Sequence, residues 1–524
     1  MRRTLHLIAI ACLILAACSA DTSIPATTTT TDTDTDTELG SRAGRVAAFS
    51  IFITQPTPEP LSTPPTSESP EALDVEVEIA AAPWGIVPGI IQFRGNPTHS
   101  WYGLGPVPYE PIVVWRYPDE RMCSSSSVGS ETTQWCGTGW TGQPVVWERA
   151  DGVTEVIFGA YDRAVHFVDA DTGLPTRPKF TTGDLIKGTV SLDPDGFPLL
   201  YFGSRDNHLR ILSLASNTPT ELWSLNSDEY PGIWNNDWDG NPSIVDGILY
   251  EGGENGILFA IELNRAYDGE QVTVDPEILV TVEGWNQELL SSVGDRNASI
   301  EGSVVVTGDR VYFANSAGRI VGVDISNVRS GQAPIVFDVW AGDDIDASLV
   351  IDLDGYIYAA IELERFLARS QEVGQIIKLD PADGSILWSV AVPPLSGGNG
   401  DGGVWATPAL GLGVLYVPTH PGTLLAIDTN TGDVLWKDDI GYHAWSSPSV
   451  VDNMLVVATD CDAGGALTGY DLSYPRLPSK VWHTPLGSGC IESTPSVWKG
   501  AIYVGSRDGY FYKFASSDPS SASP

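Results

Sequence analysis

The chain has 524 residues, 42% of them hydrophobic and 9% aromatic, which is enough apolar surface for a large core. Its 67 acidic and 28 basic side chains leave a formal net charge of −39. So acidic a surface repels phosphate backbones and argues against nucleic acid as a partner.

Residues 1–18 have the form of an export leader. Arg2 and Arg3 precede the apolar run from Leu5 to Leu15, which is too short to span a bilayer. The run ends in Leu15-Ala16-Ala17-Cys18, which resembles the lipobox of bacterial lipoproteins. That resemblance implies acylation of Cys18 and a lipid-anchored, extracytoplasmic place in the cell envelope; ordinary secretion with an incidental cysteine is the alternative. Residues 19–85 read as a disordered tether. Thr27 to Thr37 is a Thr/Asp tract and Pro56 to Pro70 is rich in Pro, Ser, Thr and Glu, compositions that cannot bury enough apolar surface to order themselves. A short apolar island, Val46 to Ile53, interrupts the tether. No later run is long enough to cross a membrane.

From about residue 86 to 516 one unit recurs. A small residue, proline and a hydrophobic residue open a β-run, and a glycine turn leads to a second β-run. Ser447-Pro448-Ser449-Val450-Val451 and Thr494-Pro495-Ser496-Val497 are the clearest openings. Aligning the second run makes Ile157, Tyr201, Tyr250, Tyr312, Tyr358, Tyr416, Val456 and Tyr503 equivalent, at spacings of 44, 49, 62, 46, 58, 40 and 47 residues. That period belongs to four-stranded propeller blades. The expected fold is therefore all-β: an eight-bladed propeller of four-stranded antiparallel blades, or a seven-bladed one if the degenerate unit 281–342 is misread. The two long spacings hold insertions around Val282–Asn297 and Glu362–Gln375, expected as loops on one face. The eighth unit ends after its third strand near Phe514, and the missing outer strand appears upstream as Ile112-Val113-Val114-Trp115-Arg116-Tyr117, so the termini should close the ring. Residues 517–524 read as a disordered tail.

Of the six cysteines, Cys12 leaves with the leader and Cys18 is the anchor. The remaining Cys123, Cys136, Cys461 and Cys490 are an even set in an exported chain, and proximity favours the pairs Cys123–Cys136 and Cys461–Cys490 as disulfides. Asp193-Pro194-Asp195-Gly196 and Asp352-Leu353-Asp354-Gly355 read as ordinary Asp-Gly turns, with calcium turns as the alternative. The seven histidines form no His-Glu-x-x-His, and no nucleophile elbow or P-loop is present.

The pattern Ala426-x-Asp428-x-x-Thr431-Gly432-x-x-x-Trp436, with a partial copy at Asp169-Ala170-Asp171-Thr172-Gly173, resembles the tryptophan-docking repeat of quinoprotein alcohol dehydrogenases and of the wider PQQ-like propeller proteins. Phe93-Arg94-Gly95-Asn96-Pro97 is similar to openings in that wider group. The resemblance covers residues 90–515 and speaks for scaffold more than for activity. It implies, for catalytic members, pyrroloquinoline quinone (PQQ) on the propeller axis, with a calcium or lanthanide ion. The adjacent-cysteine disulfide common in those members is absent here.

Three residues before the recurrent proline position, the units carry Thr141, Lys187, Asp239, Glu301, Asp346, Trp405, Trp445 and Glu492. One register in every blade faces one axis, so these side chains should ring one mouth of the channel. Carboxylates suit a hard cation such as Ca2+, and aromatic faces suit a planar or sugar ligand; the bland alternative is a hydrated polar ring. The reading favoured is a monomeric binding or scaffold module for an envelope protein or small ligand. The competing one is a PQQ-dependent alcohol or sugar dehydrogenase with a metal near Glu301, Asp239 and Asp346 and with Trp405 or Trp445 as the cofactor's floor.

Overall fold

The computed structural model describes residues 82–128, 131–140, 142–394 and 402–517. The leader, Cys18, nearly all of the tether, Thr141 and residues 518–524 lie outside them. The described chain forms eight four-stranded antiparallel blades. The aligned residues occupy one ladder position throughout. Ile157, Tyr201, Tyr250, Tyr312, Tyr358, Tyr416, Val456 and Tyr503 pair with Val145, Ser191, Ser243, Val305, Val350, Ala409, Ser449 and Ser496 of the inner strands. The unit at 281–342 contributes a full blade of Val305–Thr307, Arg310–Ala314, Arg319–Asp324 and Ile335–Trp340, so the count is eight.

The termini close the ring. Pro111–Tyr117 pairs antiparallel with Phe511–Ser516 as the outer strand of blade 8. Its Trp115 lies over Tyr503 and Phe511, each 6.2 Å away between ring centroids, and its Nε1 donates to Ala170 O of blade 1 at 3.1 Å. The same docking recurs where Trp388 Nε1 of blade 5 donates to Thr429 O of blade 6 at 3.0 Å. The tryptophan in each case covers the glycine of the next blade's Asp-turn. A Cβ at Gly173 would stand 2.8 Å from Trp115, and one at Gly432 2.9 Å from Trp388, while both glycines hold positive φ (71° and 77°). The repeat's Asp-x-x-x-Gly and its Trp are therefore two halves of one blade-to-blade joint.

The small-Pro opening has an equally direct cause. The residue before the proline position caps the neighbouring blade's backbone. Asn241 N donates to Ser303 Oγ (3.1 Å), Ser303 N to Ser348 Oγ (2.8 Å), Ser348 N to Thr407 Oγ1 (3.0 Å) and Thr407 N to Ser447 Oγ (3.0 Å). The residue after the proline adds a second belt, with Ser449 Oγ donating to Pro495 O and Ser496 Oγ to Pro144 O. Buried backbone groups that no blade ladder satisfies are satisfied around the ring instead.

Residues 89–104 run across the propeller axis and touch every blade. Gly89–Ile90 pairs with blade 1 and Gly103–Leu104 lies parallel to blade 8. Between them Ile91 O accepts from Leu192 N, Phe93 N donates to Asn241 Oδ1, and Pro97 O and Thr98 O accept from Val306 N and Ile351 N. Arg94 is fully buried, and its Nη2 donates to Thr407 O (2.6 Å) and Pro448 O (2.9 Å) of blades 6 and 7. Burial pushes its guanidinium down to about 10, against the aid of Tyr102, whose ring lies 4.8 Å away.

The insertions hold short helices, α1 (Gln287–Val293) and α2 (Ala368–Val373), the second preceded by a strand, Glu362–Leu363, paired with Gly402–Gly403. No described helix is long and apolar enough to cross a membrane. Both disulfides join the expected partners, Cys123–Cys136 within one hairpin and Cys461–Cys490.

Candidate functional site at the channel mouth

The aligned ring converges, but it is only half of the mouth. Four residues past each aligned tyrosine position, at the tip between the second and third strands, stand Tyr161, Arg205, Glu254, Ser316, Glu362, His420, Asp460 and Arg507. These tips interlock with the ring. Lys187 Nζ is bonded to Asp239 and lies 3.9 Å from Glu254 Oε1; Ser316 Oγ donates to Asp346 Oδ1 at 2.8 Å; Arg507 Nη1 donates to Glu492 Oε2 at 3.0 Å. The second ring was legible in the same alignment, because the tip register is as constant as the mouth register.

The mouth has two unlike sides. Blades 3 to 5 supply acids, and blade 2 the cations Lys187 and Arg205. Carboxylate oxygens of Asp239, Glu254 and Glu301 lie within 4.8 Å of one another. Asp346 lies beside Glu301, whose carboxyl it raises, and beside Asp344, while Glu254 joins Asp239 and Glu301 in the tightest cluster. Glu251 and Glu362 are each 1% exposed. Neither oxygen of Glu251 has a hydrogen-bond partner, and Glu362 Oε1 has none. Burial, aided by Asp239, holds the Glu251 carboxyl well above its ordinary range, and burial with Asp239 and Glu301 does the same to Glu254. Burial and Asp346 push Glu301 up to about 8, although Lys187 opposes. Burial likewise pushes Asp344 up to about 7 against Arg365, and Asp237 up to about 6 against Arg205. Burial works against the charge on Lys187, but Asp239, Glu254 and Glu301 outweigh it and raise the ammonium. Carboxylates thus outnumber cations on this side, and desolvation has no counter-charge large enough to offset it.

Blades 6 and 7, with Trp140 from the approach to blade 1, supply aromatics. Trp405 and Trp445 stack face to face, with centroids 4.7 Å apart at 4°. His420 lies over Trp405 at 5.0 Å and accepts from Trp445 Nε1 through Nδ1 at 2.7 Å. Burial pushes His420 down to about 3, so it is neutral and can accept. Trp140 tilts onto Trp405 at 6.4 Å. Glu492, on the margin of this side, is held below its ordinary range despite burial, chiefly by Arg507.

The two Asp-Gly turns are filled by the chain's own cations. Arg265 bridges Asp193 and Asp195, and Asp352 accepts from Tyr358 OH at 2.7 Å with Lys378 Nζ 3.5 Å away. Both are ordinary turns in the structure.

Asp239, Glu254 and Glu301 suit a hard cation, with Lys187 beside the place it would take. The surroundings do not suit the tricarboxylate PQQ. Lys187, Arg205, Arg365 and Arg507 are already engaged by Asp239, Asp237, Asp344 and Glu492. Nor do Trp405 and Trp445, stacked on each other, leave a slot for a flat ring between them.

Comparison with known proteins agrees with the repeat. Residues 372–474 match the family described as Outer membrane protein assembly factor BamB. The assembly factor BamB of Nitrosomonas eutropha is 33% identical over 91 residues, covering 17% of this chain and 20% of the relative. A tetrathionate hydrolase of Acidithiobacillus ferrooxidans is 25% identical over 211 residues, covering 37% of this chain and 39% of the relative. The chain thus matches about two fifths or less of the length of these relatives. The crystal structure of quinohemoprotein alcohol dehydrogenase from Comamonas testosteroni superposes with a TM-score of 0.55 at 14% identity, over 82% of this chain and 80% of that one. The repeat is of the PQQ-like propeller type, and the fold is shared with a quinoprotein dehydrogenase.

Proposed function

We propose that the protein is a binding module of the cell envelope, lipid-anchored through Cys18, whose channel mouth takes a small ligand. The leader and the BamB-like segment at 372–474 support the location. The ligand's chemistry follows from the two-sided mouth: a metal cation or cationic group against Asp239, Glu254 and Glu301, and a planar or sugar face against the exposed edge of the Trp405–Trp445 stack. The observation that carries this reading is the excess of buried carboxylates over the cations Lys187, Arg205 and Arg365 at the mouth, with oxygens of Glu251 and Glu362 unpartnered. Buried acids in excess are neutralised either by protonation or by a bound cation, and a cation here would displace protons from them.

Calorimetric titration of the purified chain with Ca2+ and Mg2+ tests it. The expected result is saturable binding at one site per chain, weakened at least about tenfold by Asp239→Asn. Absence of binding by the native chain overturns the reading. Adding PQQ with Ca2+ and following dye-linked oxidation of alcohols and sugars tests the dehydrogenase alternative in the same preparation; turnover would replace the binding module by an enzyme.

A further inference from the structure

A second group of metal-ligand side chains lies at the rim of blade 7, away from the acidic cluster. His443, Cys461 and Cys490 present ring nitrogen and sulfur atoms within 4.8 Å of one another, and all three residues are partly exposed. His443 Nε2 is 3.9 Å from Cys490 Sγ and 3.9 Å from Glu492 Oε1, while its Nδ1 is 4.0 Å from Asp462 Oδ1. The imidazole is therefore placed with one nitrogen toward the sulfurs and the other toward a carboxylate. In a metal-ligating histidine a distal carboxylate holds the ring and its tautomer by a hydrogen bond, and Asp462 stands near that place, 4.0 Å from Nδ1. A disulfide that only braces the fold has no need of it.

We propose that Cys461 and Cys490 form a redox-gated zinc site with His443. In the oxidised protein the sulfurs are bonded to each other and bind no metal. A dithiol reductant opens the site by exchange. Its thiolate attacks one cysteine sulfur and forms a mixed disulfide, and the other cysteine leaves as thiolate. The reductant's second thiol then displaces the first cysteine, so the reductant becomes a disulfide, two electrons pass to the protein, and both cysteines are free. Zn2+ takes the two thiolates and His443 Nε2, with water in the fourth place, releasing the thiol protons on binding. Glu492, 3.9 Å from His443 Nε2, stays paired with Arg507. Because the His443 ring lies 4.3 Å from Trp445, occupation of the site is felt at the aromatic side of the mouth.

The test uses the full chain, reduced with a dithiol that is then removed anaerobically, and Co2+ as the spectroscopic probe. The expected result is a near-ultraviolet thiolate-to-cobalt band that saturates at one ion per chain, is displaced by Zn2+, and is missing from the oxidised protein. Cys461→Ser with Cys490→Ser should abolish the band, whereas Cys123→Ser with Cys136→Ser should leave it. His443→Ala should weaken binding, and Asp462→Asn should weaken it about tenfold without removing a ligand. Circular dichroism of the reduced chain accompanies each titration. The inference is overturned if the reduced, folded protein gives no band, if His443→Ala binds Co2+ as the parent does, or if reduction alone unfolds blade 7.

Discussion

Glu301 offers the sharpest check on the acidic side of the mouth. Its carboxyl is pushed up to about 8 by burial and by Asp346 and Asp239, with Lys187 opposing. Glu254, Asp344 and Glu362 feel its charge as well. A carboxyl whose folded pKa lies above its unfolded one binds more protons in the folded state. Its contribution to stability is complete below the unfolded value near 4.5 and is lost as pH rises through about 8. The slope is about 1.4 kcal/mol per pH unit, and two units separate pH 6 from the folded value, so raising the pH from 6 to 9 removes about 3 kcal/mol through this one group.

Glu301→Gln replaces the neutral acid by a neutral amide that still accepts from Ser299 Oγ, now 2.9 Å away. At pH 4 the variant should match the parent within about 1 kcal/mol; at pH 6 it should be the more stable by about 2 kcal/mol, and at pH 9 by about 5 kcal/mol. Urea unfolding midpoints at constant ionic strength, with a chelator present, give the comparison. Asp344 and Asp237 titrate in the same window in both chains, so the difference reports Glu301 together with the relief its removal gives to Asp344 and the other acids that feel its charge. Millimolar Ca2+ in place of the chelator should restore the parent at pH 9 and do little for the variant. Parallel pH profiles for the two chains would refute a buried, uncompensated carboxyl at this position.

Two further outcomes follow from the same geometry. Lys187→Met removes the one ammonium among Asp239, Glu254 and Glu301; Ca2+ affinity by calorimetry should rise at least about tenfold while the cation-free protein loses stability, because the lysine stands in for a bound cation. Trp115→Ala strips the closing strand of its contacts to Phe511, Tyr503 and Ala170, and the half-buried ring should cost about 2–4 kcal/mol in the denaturation midpoint, a loss that circular linkage of the termini would not restore.

Most of the scaffold was readable because it repeats. Each blade faces the same packing problem, so Asp428, Gly432 and Trp436 recur at fixed spacing, and so does the small-Pro opening whose hydroxyls bond the next blade. The strand at 112–117 was readable for a related reason: a blade with three strands at one end of the chain requires a fourth from the other. The axial segment 89–104 was not. Its backbone meets eight different partners once each, so no period marks it, and a buried Arg94 held by two carbonyls leaves no trace in sequence spacing. Nor did spacing show which acids meet. Asp239, Glu301 and Asp346 occupy one register, but Glu254 joins them from a strand tip, and Asp344 meets Asp346 from just outside it.

The symmetry of the scaffold and the asymmetry of the mouth have one origin. Circumferential bonding constrains the residue before the proline position in nearly every blade, so that position varies little in kind, and it adds a bond from the residue after it in blades 2, 7 and 8. The ring residue and the tip residue lie just beyond the belts, where no neighbour's backbone depends on them. Their substitution is therefore cheap for folding and is free to follow a ligand. In this chain that freedom has gathered acids on blades 3 to 5 and aromatics on blades 6 and 7 rather than scattering both around the axis. Buried like charges repel, and clustering them raises their energy; random drift under selection for stability would have dispersed them. Their concentration on one side is thus the feature that stability alone does not account for, and a cation at Asp239, Glu254 and Glu301 would supply the missing term.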